Sequence, residues 1–272
     1  FTFTDIDRIV IPSSVQKIKK NAFSSCKSLT KVEFLPNSQL KLLGIESFTS
    51  CSFEKISIPS SLVKVELPFF ANNQQLNKIE IFDNKVCNIL SYDNKFIIGK
   101  SNPSSDVYDV LFFCNRDFVK VEVPSFIKRI TSFAFQYCTK LKYVDLTNSN
   151  IESIGKGAFK ESGITRIGLP DTLTRIKENT FSKCKFLSLV EISEKSLINA
   201  IDFGAFSETD IRQIFIPKHV KYLDRNAFFK CKKLESVVFQ EGSECCRIDD
   251  DCFHKTKISS FIIPPNIVEF NF

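Results

Sequence analysis

The stretch Phe118-Val119-Lys120-Val121-Glu122-Val123-Pro124, followed at residues 134–138 by Ala-Phe-Gln-Tyr-Cys, decides the fold because the chain repeats it. Its pattern is apolar-x-x-apolar-x-apolar-Pro, and then Ala-Phe-x-x-Cys. The same pattern occupies residues 164–184 and 211–231. A chain that repeats one pattern at a fixed period is predicted to be a solenoid, in which similar units stack on their neighbours.

Counted by this pattern, the chain holds ten complete units and a truncated eleventh. The units begin at apolar residues, in order Ile6, Leu29, Phe53, Leu76, Phe118, Leu141, Ile164, Leu187, Ile211, Leu234 and Ile258. Successive units start 23 or 24 residues apart, except for one step of 42 residues after Leu76. Alternate units carry a proline directly after the predicted strand, and this alternation continues across the long step. We therefore interpret that step as one unit with an insertion.

A period in the low twenties is typical of leucine-rich repeats, in which each repeat supplies one strand and one short helical segment. We therefore predict an α/β fold in which residues 1–272 form a single leucine-rich-repeat solenoid. A parallel sheet would line its concave side, and a short helical turn around each Ala-Phe would lie on its convex side. Because the chain starts and stops inside the repeat pattern, we expect it to be a fragment of a longer protein.

The repeat also predicts the core. One phenylalanine per unit falls in the same column, and we expect these rings to stack behind the sheet. The column contains Phe23, Phe48, Phe70, Phe135, Phe159, Phe181, Phe206, Phe228 and Phe253.

The insertion, at about residues 83–117, predicts a β-hairpin. Residues 95–98 and 107–113 are rich in strand-forming residues, and the turn cluster Gly-Lys-Ser-Asn-Pro-Ser-Ser lies between them at 99–105. The Ala-Phe element is missing here, so we expect Phe96, Phe112 and Phe113 to cover the core in its place. The hairpin could serve recognition or only fill that gap.

Five of the ten cysteines occupy one column, three residues after the repeat phenylalanine, and other units carry Ser, Thr or Asn there. That choice of residues predicts a small buried side chain with a weak hydrogen-bond donor, and so free thiols. Disulfides remain an alternative for a few pairs. These pairs are Cys26 with Cys51, Cys87 with Cys114, and Cys252 with Cys245 or Cys246.

Composition argues against several classes of function. The net charge is +6, but acidic and basic residues are mixed throughout the chain, whereas nucleic-acid binders gather basic residues on one face. No apolar run approaches the ~20 residues of a membrane-spanning helix, so we expect no direct membrane insertion in this segment. The two histidines are isolated, and there is no Gly-rich phosphate loop or metal-ligand spacing. We therefore expect no catalytic residues, no metal and no cofactor.

The repeated pattern, for example in residues 211–231, resembles the BspA-like leucine-rich repeats often found on mucosal bacteria and anaerobic protists. The resemblance covers nearly all of residues 6–270. It implies a right-handed, curved solenoid at a cell surface or outside the cell, which mediates adhesion to host cells, extracellular matrix or other microbes. The family shares no catalytic motif, so no functional residue carries over. A cytoplasmic scaffold is the alternative, because the chain lacks a usable Asn-x-Ser/Thr glycosylation site.

Candidate binding residues follow from the alternation of side chains along stacked strands, which turns every second residue outward. In the N-terminal half, lysines are predicted to line the concave face beside an acidic column, and in the C-terminal half apolar residues take their place. A contiguous apolar patch usually marks an interface, so we predict a protein partner or a second copy of the chain there. The alternatives are a self-neutralised, solvated face for the charged columns, and a patch covered by a missing C-terminal segment or by neighbouring side chains. The candidates are Lys31, Lys55, Lys78, Lys120, Glu122, Leu189, Phe215, Val238 and Ile262.

Overall fold

The computed structural model describes residues 1–66, 68–81, 88–102 and 104–270. The chain forms two compact units, residues 1–117 (unit 1) and residues 118–272 (unit 2). Both are built as parallel β-solenoids, and the chain has about 11 coils. Each coil corresponds to one repeat of the sequence.

In unit 1, a regular coil supplies a four-residue strand on one face, here called the strand face, and a two-residue strand on a second face, the lateral face. The strands of unit 1 are β1 (Arg8–Ile11), β2 (Lys17–Ile18), β3 (Lys31–Phe34), β4 (Leu42–Leu43), β5 (Lys55–Ile58), β6 (Lys64–Val65), β7 (Lys78–Ile81), β8 (Ile89–Tyr92), β9 (Phe96–Gly99) and β10 (Val110–Cys114). On the strand face, β1 pairs with β3 and β5 with β7, all parallel. On the lateral face, β2, β4 and β6 form one parallel sheet.

Unit 2 repeats this plan. Its strands are β11 (Arg129–Ile130), β12 (Tyr143–Asp145), β13 (Ser153–Ile154), β14 (Arg166–Gly168), β15 (Arg175–Ile176), β16 (Leu189–Glu191), β17 (Ala200–Ile201), β18 (Gln213–Ile216), β19 (Tyr222–Leu223), β20 (Ser236–Phe239), β21 (Arg247–Ile248) and β22 (Glu269–Phe270). The strand face carries the parallel sheets β12–β14–β16 and β18–β20. The lateral sheet β15–β17–β19–β21–β22 is also parallel.

The strand face is interrupted where the repeat lengthens. Strands separated by a 23-residue step are paired, as β1 is with β3 and β14 with β16. Steps of 24 residues separate β3 from β5 and β16 from β18, and neither pair is hydrogen-bonded as a sheet. The coil that precedes each interruption has a longer connection between its strand and the lateral face. The added residues therefore go into that connection, at the place where adjoining coils separate.

The predicted α/β class, with a helical turn on each convex side, is wrong: the described residues contain no helix. The segments around eight of the column's phenylalanines, all except Phe70, are runs of tight turns with two residues at positive φ, four positions apart. A right-handed helix cannot contain such residues without breaking. The pairs are Asn21 and Ser25, Glu46 and Ser50, Phe133 and Tyr137, Gly157 and Glu161, Asn179 and Lys183, Gly204 and Glu208, Asn226 and Lys230, and Asp251 and Lys255.

These turns use alternate backbone amides to join neighbouring coils. Asn21, Phe23 and Ser25 donate to backbone carbonyls of the next coil at 2.9, 2.8 and 2.8 Å, and the amide of Ala22 donates back to Lys19 within its own turn. The same pattern recurs at Asn179 and its successors in unit 2. In a helix these amides would bond within their own coil. Here they add a third line of hydrogen bonds between coils.

The phenylalanine column forms the core stack. In unit 2, neighbouring rings from Phe135 to Phe253 are 4.7–5.4 Å apart between centroids and nearly parallel. In unit 1, Phe70 stacks on Phe48 at 5.7 Å, although its sequence context is Phe-Phe-Ala instead of Ala-Phe. The column predicted from the repeat therefore lies in the interior of both units.

Several members of the column of small residues connect their coil to the one before it. The thiol of Cys184 donates to the carbonyl of Phe159 at 2.9 Å, and that of Cys231 to Phe206 at 3.0 Å. Asn73 makes the equivalent bond from its amide to Phe48. All described cysteines are free thiols, as the choice of residues in this column predicts, and Cys87 lies outside the described residues.

The insertion supplies three antiparallel strands. Its start, at residues 83–87, lies outside the described residues. The two strand-forming runs become β9 and β10, which pair antiparallel, and Phe96, Phe112 and Phe113 are buried. A further strand, β8, pairs with β9 through Asp93 and Asn94, both at φ 50°. Positive φ at both central residues is the requirement of a tight two-residue hairpin turn, and the sequence pattern of the insertion did not predict this turn.

Candidate protein-binding surface

Pairing of the strands aligns the outward residues of the strand face into two columns. The first column contains Arg8, Lys31, Lys55 and Lys78 in unit 1, and Lys120, Tyr143, Arg166, Leu189, Gln213 and Ser236 in unit 2. The second column lies two residues further along each coil and contains Val10, Glu33, Ser57 and Glu80 in unit 1, and Glu122, Asp145, Gly168, Glu191, Phe215 and Val238 in unit 2. Within each sheet, strand pairing places members of a column directly beside each other.

In unit 1 the two columns neutralise each other. Glu33 accepts from Lys31 in its own strand and lies 3.3 Å from Arg8 in the neighbouring strand. The hydrogen bond from Lys31 and the positive charge of Arg8 lower the pKa of the Glu33 carboxyl. Lys78 pairs with Glu80 at 3.1 Å, and the hydroxyl of Ser57 donates to the same carboxylate. Exposed pairs of this kind stabilise a protein by less than about 1 kcal/mol each.

Lys55 differs from the other lysines of the first column, since it forms no ion pair with any described carboxylate. It borders a groove of about 800 Å³ between β3 and β5, at the first interruption of the strand face. Glu33, Leu35 and Pro59 also line this groove. Its walls mix apolar groups with charges of both signs, so it does not select one chemistry of ligand.

The structure brings only part of the predicted apolar set together. Phe215 and Val238 are direct partners in the β18–β20 sheet, and Val238 is 40% exposed while Phe215 is half-buried. Leu189 is 45% exposed, but it lies in the first column on β16, which is not paired with β18. Ile262 is 88% exposed and belongs to no strand. The apolar pair Phe215–Val238 is therefore the part of the patch that strand pairing holds together.

Lys120 and Glu122 lie in the first coil of unit 2, where the strand is reduced to a single bridge from Lys120 to Tyr143. Their side chains pair with each other at 3.2 Å. They border a groove of about 290 Å³ whose other wall includes Tyr143 and Asp145. This groove continues onto the β12–β14–β16 sheet.

The β12–β14–β16 sheet holds an arrangement that the repeat pattern did not indicate. Arg166 lies over the ring of Tyr143, 4.0 Å from its centroid. In the second column, Asp145 and Glu191 flank Gly168, and a Cβ at this glycine would lie only 2.7 Å from the methyl group of Thr147 and 3.0 Å from Asp145 Oδ1. A glycine inside a strand often marks a close approach of other groups, and that is the signal in the sequence that could have identified this place.

Two further properties bear on function. The described part of the chain contains no helix that is long and apolar enough to cross a membrane. In the same part of the chain, no group of three or more His, Cys, Asp or Glu side chains is arranged to hold a metal ion.

Comparison with known proteins agrees with the repeat architecture. The sequence profile of the BspA type leucine rich repeat region matches six copies, over residues 1–94, 106–235 and 169–271. Among curated proteins, none is significantly similar to this chain in sequence.

Several solved structures share the fold. A leucine rich cell surface protein from Faecalibacterium prausnitzii is 20% identical, with a TM-score of 0.67 over 98% of this chain and 59% of its own. The pneumococcal vaccine antigen PcpA is 19% identical, with a TM-score of 0.66 over 98% of this chain and 63% of its own. A leucine-rich repeat protein from Eubacterium ventriosum is 18% identical, with a TM-score of 0.75 over 98% of this chain and 75% of its own. The chain thus spans about three fifths of the first two proteins.

Proposed function

Since the chain belongs to the BspA type leucine-rich repeat family, we propose that it is a non-enzymatic, protein-binding module of a surface protein. Its role is adhesion to host cells, to extracellular matrix or to other microbes. The observation that carries this proposal is the strand face, where exposed side chains stand in two columns aligned by strand pairing. Such columns suit recognition over a broad surface. The similar protein from Faecalibacterium prausnitzii, which is named as a leucine rich cell surface protein, supports the same location.

The partner site proposed for the C-terminal half is the exposed apolar set, centred on Phe215 and Val238. Apolar residues on an interface lose their contact with water on binding, which stabilises the complex. The charged columns of unit 1, with Lys31, Lys55 and Lys78, would contribute more to the rate and orientation of encounter than to affinity.

Binding of the purified chain to immobilised collagen, laminin and fibronectin, measured by surface plasmon resonance, tests the adhesion function. The double variant Phe215→Ser/Val238→Ser should lose most of the captured signal, and Leu197→Ser, an exposed apolar residue on the connection after β16, should keep it. Sedimentation of both variants shows whether the same pair supports a homodimer. Unchanged capture together with unchanged self-association would exclude the apolar pair as an interface.

An intracellular scaffold for protein–protein interaction is the second candidate. The free thiols favour the intracellular scaffold, because the oxidising environment outside the cell tends to convert cysteines to disulfides. Labelling of intact cells with a membrane-impermeant amine reagent separates the two candidates. A surface protein is labelled before lysis, and a cytoplasmic scaffold is labelled only after it.

A further inference from the structure

Side chains of the small-residue column are in contact from one coil to the next. The hydroxyl of Ser162 lies 3.4 Å from the thiol of Cys184, and the hydroxyl of Thr209 lies 3.2 Å from the thiol of Cys231. Each of these pairs joins two consecutive coils of unit 2. Neighbouring positions of the column therefore bring the ends of two side chains together.

In unit 1 two neighbouring positions of this column are both cysteines, Cys26 and Cys51, and both are buried. On its other side Cys26 follows the same pattern, because its sulfur lies 3.4 Å from the hydroxyl of Thr4. The thiol of Cys51 donates to the carbonyl of Phe23 in the preceding coil at 3.2 Å. The column thus places the two thiols side by side in consecutive coils.

The environment of Cys51 also places it next to Cys26. Burial, and after it the neighbouring Cys26 thiol, raises the pKa of Cys51 to about 12, while the backbone of Cys26 acts in the opposite direction. Burial likewise raises the pKa of Cys184 to about 12, and hydrogen bonds with the side chain and the backbone of Ser162 oppose that rise. Cys51 therefore lies beside Cys26 as Cys184 lies beside Ser162.

The spacing of the coils suits a disulfide. Disulfides join residues whose Cα atoms are about 4.4–6.8 Å apart, and parallel strands of one sheet lie about 4.8 Å apart. The rings of Phe23 and Phe48, three residues before the two cysteines, are 5.1 Å apart between centroids. To form the bond, the sulfurs have to give up only their hydrogen bonds to carbonyl groups, and a thiol is a weak donor.

We propose that Cys26 and Cys51 form a disulfide when the chain folds in an oxidising environment, and that this bond fastens two consecutive coils of unit 1. The oxidant is a disulfide, carried by a small molecule or by an oxidoreductase. One cysteine thiolate attacks it and displaces a thiolate, and the second cysteine thiolate attacks the mixed disulfide and displaces the other. The two displaced thiolates take up the two protons that the cysteines lost.

The bond forms before the two thiols are buried, because a buried thiol is inert. In a reducing compartment the same pair stays reduced. The state of this one pair in protein isolated from its source would therefore separate a surface protein from a cytoplasmic scaffold.

Refolding the chain from urea in a mixture of reduced and oxidised glutathione tests the proposal. Remaining thiols are alkylated, and the folded chain, checked by circular dichroism, is digested with trypsin without reduction. We expect residues 21–27, which contain Cys26, to be linked to residues 42–55, which contain Cys51. The linked pair is lighter than the two peptides together by two hydrogen atoms. Recovery of both peptides in alkylated form, or a link from either cysteine to one in unit 2, would overturn the proposal.

A melting experiment shows whether the bond fastens the coils. The oxidised wild type should melt about 5 °C or more above the reduced wild type, because a disulfide restricts the unfolded chain. Cys26→Ser should show no such difference, and it should fold because serine occupies the same column at residue 162. An equal rise in Cys26→Ser would assign the effect to another pair and contradict the proposal.

Ser162→Cys is the matched gain of function. If the spacing of the column is the cause, the new cysteine should bond to Cys184 under the same refolding conditions. If neither this pair nor Cys26 with Cys51 is linked, the coils hold neighbouring sulfurs out of reach and the proposal is wrong. The adhesion function is judged separately, because a chain without the disulfide that still binds matrix proteins keeps that function.

Discussion

At the scale of single residues, each coil depends on two columns that face the interior. The phenylalanine rings stack at about the spacing of the coils, and three positions later the thiols of Cys184 and Cys231 donate to the preceding coil. One column fills volume and the other satisfies buried carbonyl groups. A substitution in the phenylalanine column should therefore be tolerated only if it fills the same volume. A substitution in the column of small residues should be tolerated only if it keeps the hydrogen bond to the carbonyl group.

Phe181→Ala should reduce the free energy of unfolding by about 3–5 kcal/mol, because the ring is fully buried between Phe159 and Phe206 and its loss leaves a cavity. Phe186→Ala is the matched control. That ring is 59% exposed, and its removal should cost less than about 1 kcal/mol. Urea denaturation measures both. Similar losses for the two variants would contradict a stacked interior column.

The buried thiols predict a loss of stability at high pH. Burial raises the pKa of Cys184 to about 12, whereas an unfolded thiol ionises near pH 8.5. Stability from this group is complete below the unfolded pKa and is lost as pH rises toward the folded pKa, because only the unfolded state releases the proton.

Between pH 8 and pH 10.5 this one thiol should cost the wild type about 2 kcal/mol. Cys184→Ser cannot ionise in this range, and its hydroxyl can replace the bond to Phe159. The difference in unfolding free energy between wild type and variant should therefore shrink as pH rises. If it stays constant across this range, the Cys184 thiol is not held neutral by burial.

At the scale of elements, the sequence predicts some features well and others poorly. Alternating apolar residues give the strands and their register, because a strand buried on one face has a period of two. The same reasoning failed for the Ala-Phe segments, since a short segment of mixed polarity fits a helical turn and a series of tight turns equally. The signal that separates them is the Asn or Gly directly before the pair at residues 21, 157, 204 and 226, which tolerates positive φ.

The choice between a helical turn and a series of tight turns can be tested at Lys183, which is exposed and has φ 59°. Lys183→Gly should leave stability unchanged or raise it by up to about 1 kcal/mol, because glycine adopts positive φ without steric cost. In a helix the same substitution would destabilise by about 1 kcal/mol. Lys185→Gly is the neighbouring control. Lys185 is not at positive φ, so glycine there relieves no steric cost of the backbone. Thermal melts of the two variants decide between the turn and the helix.

At the scale of the whole molecule, each unit is a stack in which every coil contacts its neighbours in sequence. The repeat count and the core column follow from the period, which one chain displays many times over. The interruptions of the strand face and the position of Asp145 and Glu191 on either side of Gly168 do not, because they depend on how particular coils pair. Binding surfaces made of several coils are therefore the part of such a protein that sequence reasoning predicts least.

A stack with only local contacts should respond locally to damage. Phe228→Ala is expected to accelerate hydrogen exchange of the amides of Phe206 and Phe253, its two stacking partners, by at least about tenfold. Amides of the coil that contains Phe159 should change much less. Mass spectrometry of exchanged peptides from unit 2 measures this gradient. A uniform acceleration across unit 2 would mean that the unit unfolds as one cooperative body.

Asn21, Phe23 and Ser25 donate hydrogen bonds to the neighbouring coil. The hydrogen bonds of the parallel sheets on the strand face and the lateral face also join neighbouring coils. A force that pulls on the two ends of a unit therefore loads the hydrogen bonds between one pair of neighbouring coils at a time, and not those of all the coils together. Coils should detach singly at low force, and each would release roughly 80 Å of chain. For a protein attached to a cell in flowing fluid, such stepwise yielding would lengthen the tether gradually and spare the bond that holds the cell.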